Sequence, residues 1–137
     1  MGTPEQLSLE EIEKDTWGDP PTDATRLIET VYALRRRPVG TLDTEDLRVL
    51  IAQKVGLETL VPLALHRLEQ DPMAEGDFYP GDLLVAALHI PAGHWKAHPQ
   101  QHARLRSVVE RLDPADVDDD LQGDIAAFRA ADIDGLA

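Results

Sequence analysis

Three histidines stand at intervals of four, His94, His98 and His102, a spacing that on one continuous helix would align imidazoles as transition-metal ligands. Pro99 lies inside that run and Gly93 beside it, so the helix the spacing requires is interrupted. No Glu stands in a His-Glu-x-x-His arrangement to act as a base. With His66 and His89, these side chains read as scattered, solvated histidines, and no metal ligand is assigned. The acidic stretch from Asp116 offers a second pattern, that of a calcium loop. Counted from Asp118 it places Asp118, Asp120, Gln122 and Gly123 suitably, but Arg129 then takes the position of the closing bidentate Glu. Counted from Asp116, Leu121 takes the glycine position. The only serines, Ser8 and Ser107, lie in a helix cap and in mid-helix, and there is no cysteine and no phosphate-cradling glycine loop. Catalytic residues and cofactors are therefore expected to be absent. The one basic run, Arg35-Arg36-Arg37, is read as surface charge at a helix C-terminus, where cations favour the helix dipole.

The elements that must carry these residues are helices. Hydrophobic residues make up 42% of the 137, and aromatic ones only 4%, so the core is built from Leu, Val, Ile and Ala. No alternating strand of useful length occurs. The pattern predicts one all-α domain over residues 1–137, with about seven short to medium helices joined by Pro/Gly turns. Residues 8–112 form its core, and 113–137 an acidic C-terminal helix or arm.

Ser8 to Glu11 reads as a capping box opening a helix from Leu9 to Lys14. Trp17-Gly18-Asp19-Pro20-Pro21 interrupts it. Thr22 or Asp23 is expected to cap a second helix with the stripe Leu27, Ile28, Val31 and Leu34. Asp43 caps a third, which Gly56 ends. Leu57, Leu60, Val61, Ala64, Leu65 and Leu68 mark a fourth, with Pro62 placed in its tolerant first turn. Asp82 is expected to cap the next, and Pro91 to open a turn containing Trp95. Leu105, Val108, Val109 and Leu112 mark another amphipathic helix. Asp113-Pro114 starts a last one, carrying Val117, Leu121, Ile125 and Phe128.

The net charge is −13, and residues 113–137 hold eight aspartates against one base, Arg129. Such a surface disfavours nucleic acid and anionic lipid and attracts a basic partner. The N-terminal residues Met1 to Leu9 lack the pattern of a signal peptide, and no apolar run is long enough to span a bilayer. A cytoplasmic, monomeric protein is expected.

Six segments add something more specific. They are Leu9-Glu10-Glu11-Ile12-Glu13, Trp17-Gly18-Asp19-Pro20-Pro21, Leu34-Arg35-Arg36-Arg37-Pro38, Asp46-Leu47-Arg48-Val49-Leu50-Ile51-Ala52-Gln53, Gly56-Leu57 with Leu60-Val61-Pro62-Leu63-Ala64-Leu65, and Glu75-Gly76-Asp77-Phe78-Tyr79-Pro80-Gly81-Asp82-Leu83-Leu84. In this order and spacing, over residues 8–95, the chain resembles the immunity proteins of contact-dependent growth inhibition (CDI) systems. The acidic tail after Pro114 and the histidines after Trp95 fall outside the resemblance.

The resemblance implies a protein that binds and neutralises the C-terminal toxin domain of a delivered effector, without being an enzyme. Many such toxins are nucleases with basic clefts, which an acidic surface complements. In the Asp77–Asp82 loop, Pro80-Gly81 is expected to turn the chain while Phe78 and Tyr79 pack, and Trp17 to anchor an edge of the core. Toxin contact is assigned to Glu75, Asp77 and Tyr79, with Asp116, Asp118, Asp119 and Asp120 in reserve. Two other classes remain open: a helical interaction module with an unrelated partner, and a metal-dependent hydrolase using His94, His98 and a nearby Asp or Glu.

Overall fold

The computed structural model describes residues 4–130, so the end of the acidic tail, with Asp132 and Asp134, lies outside the described residues. Within them the chain folds into eight α-helices and no strand. They are α1 (Leu9–Glu13), α2 (Arg26–Leu34), α3 (Thr44–Ala52), α4 (Leu57–Gln70), α5 (Asp82–Leu88), α6 (Ala92–Ala97), α7 (Pro99–Glu110) and α8 (Asp119–Ala130). The all-α class read from the sequence is the one observed.

Local chemistry explains most of the boundaries. Ser8 Oγ accepts from the Glu11 amide at 3.2 Å, while Glu11 returns a carboxylate oxygen to the Ser8 amide at 2.9 Å. Asp43 and Asp46 close the same reciprocal box on α3, at 2.9 and 3.0 Å. These satisfy amides that a helix start otherwise leaves without partners.

Other boundaries differ from expectation. The Ala24 amide bonds to the Pro21 carbonyl at 3.0 Å, and this turn uses up Thr22 and Asp23. Thr25 therefore caps α2, accepting from the Ile28 amide. Leu27 and Ile28 lie exposed on that helix, and only Val31 and Leu34 of the expected stripe are buried. Gly56 does not end α3, which stops at Ala52; with φ of +69° it starts α4 instead. A Cβ there would lie 2.8 Å from Leu9 Cδ1, so the close approach of α4 to α1 also requires glycine. Pro62 sits in the second turn of α4 rather than the first, which removes the amide that would bond to the Glu58 carbonyl. The last segment divides into a 3-10 turn at Pro114–Asp116 and a separate helix, because Asp113 accepts from the Ala115 amide and Asp118 from the Leu121 amide.

One continuous apolar cluster runs from Leu9 to Phe128. Leu60, Val61, Ala64, Leu65 and Leu68 of α4 lie at its centre against α3, α5 and α7. Helix α5 is nearly all apolar, with Leu83, Leu84, Ala87 and Leu88 buried, and it packs on α3, α4 and α8. Each fully buried leucine contributes about 2 kcal/mol of transfer free energy. Helix α8 adds Leu121, Ile125 and Phe128 to this core. No helix among the described residues is long and apolar enough to cross a membrane.

Candidate partner-binding site

The loop between α4 and α5 is held through its backbone amides by two carboxylates. Asp82 was expected to cap α5, but Gly81, at φ +89°, occupies the cap position and Asp82 turns back into the loop. Its buried carboxylate accepts from the Gly76 amide at 2.6 Å and the Phe78 amide at 3.1 Å. The Asp77 amide between them donates to Glu45 Oε1 of α3 at 2.9 Å. Arg48, one turn on, grips Glu45 through two hydrogen bonds of 2.7 and 2.6 Å. That contact, ahead of the Asp77 amide, holds the Glu45 carboxyl below its ordinary pKa although burial opposes it, and it raises that of Arg48.

With three successive amides fixed from below, the loop's aromatics face outward. Phe78 and Tyr79 do not pack as expected: they are 67% and 48% exposed. Phe78 touches the chain through the Arg48 guanidinium, 4.4 Å from its ring centre. Tyr79 lines two clefts. One, of about 190 Å³, includes Arg48, Lys54, Phe78 and His89. The other, of about 240 Å³, includes Met73, Pro80, Asp116, Asp118, Asp120 and Asp124.

Of the residues singled out in the sequence, Tyr79, Asp116, Asp118 and Asp120 thus come together although some forty positions separate them. Asp119 is exposed at the start of α8 and does not line the cleft. Glu75 and Asp77 are exposed in the same loop but outside both clefts. Sequence reasoning missed Phe78 as an exposed residue, and missed Asp124, whose carboxylate meets His89 at 2.9 Å. The available signal for Phe78 was its position in a polar Pro/Gly loop with no large apolar neighbour at helical spacing.

The arginine run is not plain surface charge. Arg35 is completely buried, donates to Glu13 at 2.8 Å and to the Asp15 carbonyl at 2.9 Å, and lies against the Trp17 ring. Trp17 itself is partly exposed and meets Tyr32 edge-on at 5.0 Å. Arg36 donates to the Gly18 carbonyl, and Arg37 to Asp46 and the Thr41 carbonyl. All three guanidinium groups are thereby engaged in holding α1, the Trp17 segment and α3 around the end of α2.

The histidines are not uniformly solvated either. His102 is buried against Phe128 and Trp95, with ring centres 4.9 and 5.7 Å away. Helix α6 puts His94 and His98 one turn apart, with their rings 4.5 Å apart, and His98 Nε2 reaches Glu58 at 2.9 Å. Pro99 starts a new helix, which is why His102 leaves their face.

A comparison with curated proteins finds no match. The sequence profile of the family described as CDI immunity proteins matches residues 11–105. That match extends past Trp95, through His98 and His102, beyond the resemblance visible in the sequence. It covers α2 to α6 whole, most of α7 and the entire Phe78–Tyr79 loop. An all-α chain matched over more than half its length by this profile belongs to the family of CDI immunity proteins, and has by implication a cognate toxin as its partner.

Proposed function

We infer that the chain is a stoichiometric inhibitor, not an enzyme, that binds the C-terminal toxin domain of a contact-dependent growth inhibition effector in the cytoplasm of the cell it protects. The toxin domain presents a basic face, as a nuclease does, and the inhibitor meets it as a monomer. Neither nucleic acid nor membrane is its ligand. The observation that carries this reading is the pairing of exposed Phe78 and Tyr79 with a cleft lined by Asp116, Asp118, Asp120 and Asp124. Exposed aromatics supply contact area at little entropic cost, and the neighbouring carboxylates take arginine or lysine side chains from the partner. Glu75, Asp77 and Asp119 extend the same negative field around that centre. The net charge of −13 speeds encounter with a basic surface.

Calorimetry with the C-terminal domain of the large secreted protein encoded beside this chain, at two salt concentrations, tests the reading. One-to-one binding that weakens as salt rises is expected. Absence of binding at both concentrations overturns the assignment of partner, and tight binding indifferent to salt overturns the acidic interface.

A further inference from the structure

Glu58 in the first turn of α4, His94 in α6 and His98 at the α6–α7 elbow each offer a donor atom within 4.8 Å of the other two. We propose that these three side chains form a binding site for a divalent transition-metal ion, zinc foremost. The arrangement uses separate parts of the fold. His94 and His98 are a helical turn apart, which brings their imidazoles side by side, and Glu58 arrives from α4 to meet His98 Nε2 at 2.9 Å. Gln101 Oε1 lies 2.8 Å from His94 Nε2 and adds a neutral oxygen to the same locality.

The donor set selects the ion. Two imidazole nitrogens with one carboxylate suit zinc, nickel or cupric ions rather than magnesium or calcium, which prefer all-oxygen shells. Bond lengths near 2.1 Å in a tetrahedral site require donors about 3.4 Å apart. Closing the triad to that separation takes shifts on the order of 1 Å, and the Glu58 side chain, 75% exposed, is free to make them. The fourth position opens to water. Among the described residues the aspartates lining the Tyr79 cleft do not converge in this way, although they are more numerous.

The three ligands line neither cleft at Tyr79, so the site stands apart from the surface assigned to the toxin. Its occupancy would tie the start of α4 to the α6–α7 elbow. Binding to the folded chain alone raises the unfolding temperature in proportion to the logarithm of ligand over Kd.

The test uses the untagged full chain, stripped with chelator, in zinc titration and thermal unfolding. One zinc per chain with micromolar or tighter Kd is expected, and saturating zinc should raise Tm by roughly 5 °C. His98→Ala should abolish both effects, while His66→Ala leaves them unchanged. Glu58→Gln, a near-isosteric change on a side chain 75% exposed, should weaken binding at least tenfold. Millimolar binding, several ions per chain, or undiminished affinity in Glu58→Gln and His98→Ala would each overturn the proposal.

Discussion

The Arg35 guanidinium carbon lies 3.9 Å from the centre of the Trp17 ring, so the indole roofs a cation that has no exposed surface. A buried charge is stable only with partners, and this one has the Glu13 carboxylate, the Asp15 carbonyl and the ring itself. Arg35→Ala is expected to lower the unfolding free energy by about 3 kcal/mol, since it leaves Glu13, and Glu10 at 3.6 Å, without their cation. Trp17→Ala should cost less, on the order of 1 to 2 kcal/mol, from the lost contacts of the ring with Arg35 and Tyr32. Urea denaturation of both variants reads these values.

Asp82 carries the loop rather than the helix behind it. Asp82→Asn keeps one acceptor oxygen but turns a donor toward one of the two amides at Gly76 and Phe78. A loss of about 2 kcal/mol is expected, again from denaturant midpoints. Toxin affinity should fall as well, because the loop that presents Phe78 and Tyr79 loses its fixed course.

Replacing Phe78 or Tyr79 with alanine separates binding from folding. Neither side chain belongs to the core, so their removal should shift stability by no more than about 1 kcal/mol, for Phe78 through its contact with Arg48. As the centre of the proposed interface, each should weaken toxin binding by about 2 kcal/mol or more, a factor of roughly thirty. Calorimetry at fixed salt distinguishes this from a surface that plays no part.

Acid should loosen the fold in a defined way. Glu45 is held below its ordinary value of 4.5 first by its hydrogen bond from Arg48, and Glu69 below the same value by that from Arg104. A carboxylate with a depressed folded-state pKa contributes stability that is complete above its unfolded value and is lost as pH falls through the folded one. Stability in urea should therefore be flat on this account at neutral pH and decline from about pH 4.5 downward. Arg48→Gln should flatten much of that decline. Arg104→Gln should do less, since the Glu69 pair is more exposed and solvent screens it.

Helix class, the Ser8–Glu11 capping box, the Asp43 cap and most of the core positions were legible from the sequence because they follow from patterns within a few residues. Thr25 displaced Thr22 and Asp23 because a turn set by Pro21 decides where the helix can begin. Leu27 and Ile28 had the right spacing for burial, yet α2 has only α3 as a substantial neighbour, and periodicity does not say which flank lacks one. The fate of Arg35 was hidden for a similar reason: its partners Glu13 and Asp15 lie 22 and 20 positions away. At the candidate site, the sequence picked out Tyr79 and the aspartates separately. Their meeting depends on α8 packing against α5, a long-range contact that no local pattern encodes. Asp82 was misassigned because a carboxylate before an apolar run serves equally well as a cap or as an anchor for amides upstream.

The clamp beneath the α4–α5 loop takes its hydrogen bonds from amide protons, at Gly76, Asp77 and Phe78, and none of those three bonds involves the side chain that Asp77 or Phe78 carries. Only proline, which lacks the proton, is barred from those two places by the clamp itself. Side chains at those two exposed places can consequently vary while the three main-chain hydrogen bonds stay the same. If the proposed interface is this loop, adaptation to a changed toxin leaves those anchors in place, and rigidity at the main chain becomes the condition for variety at the surface.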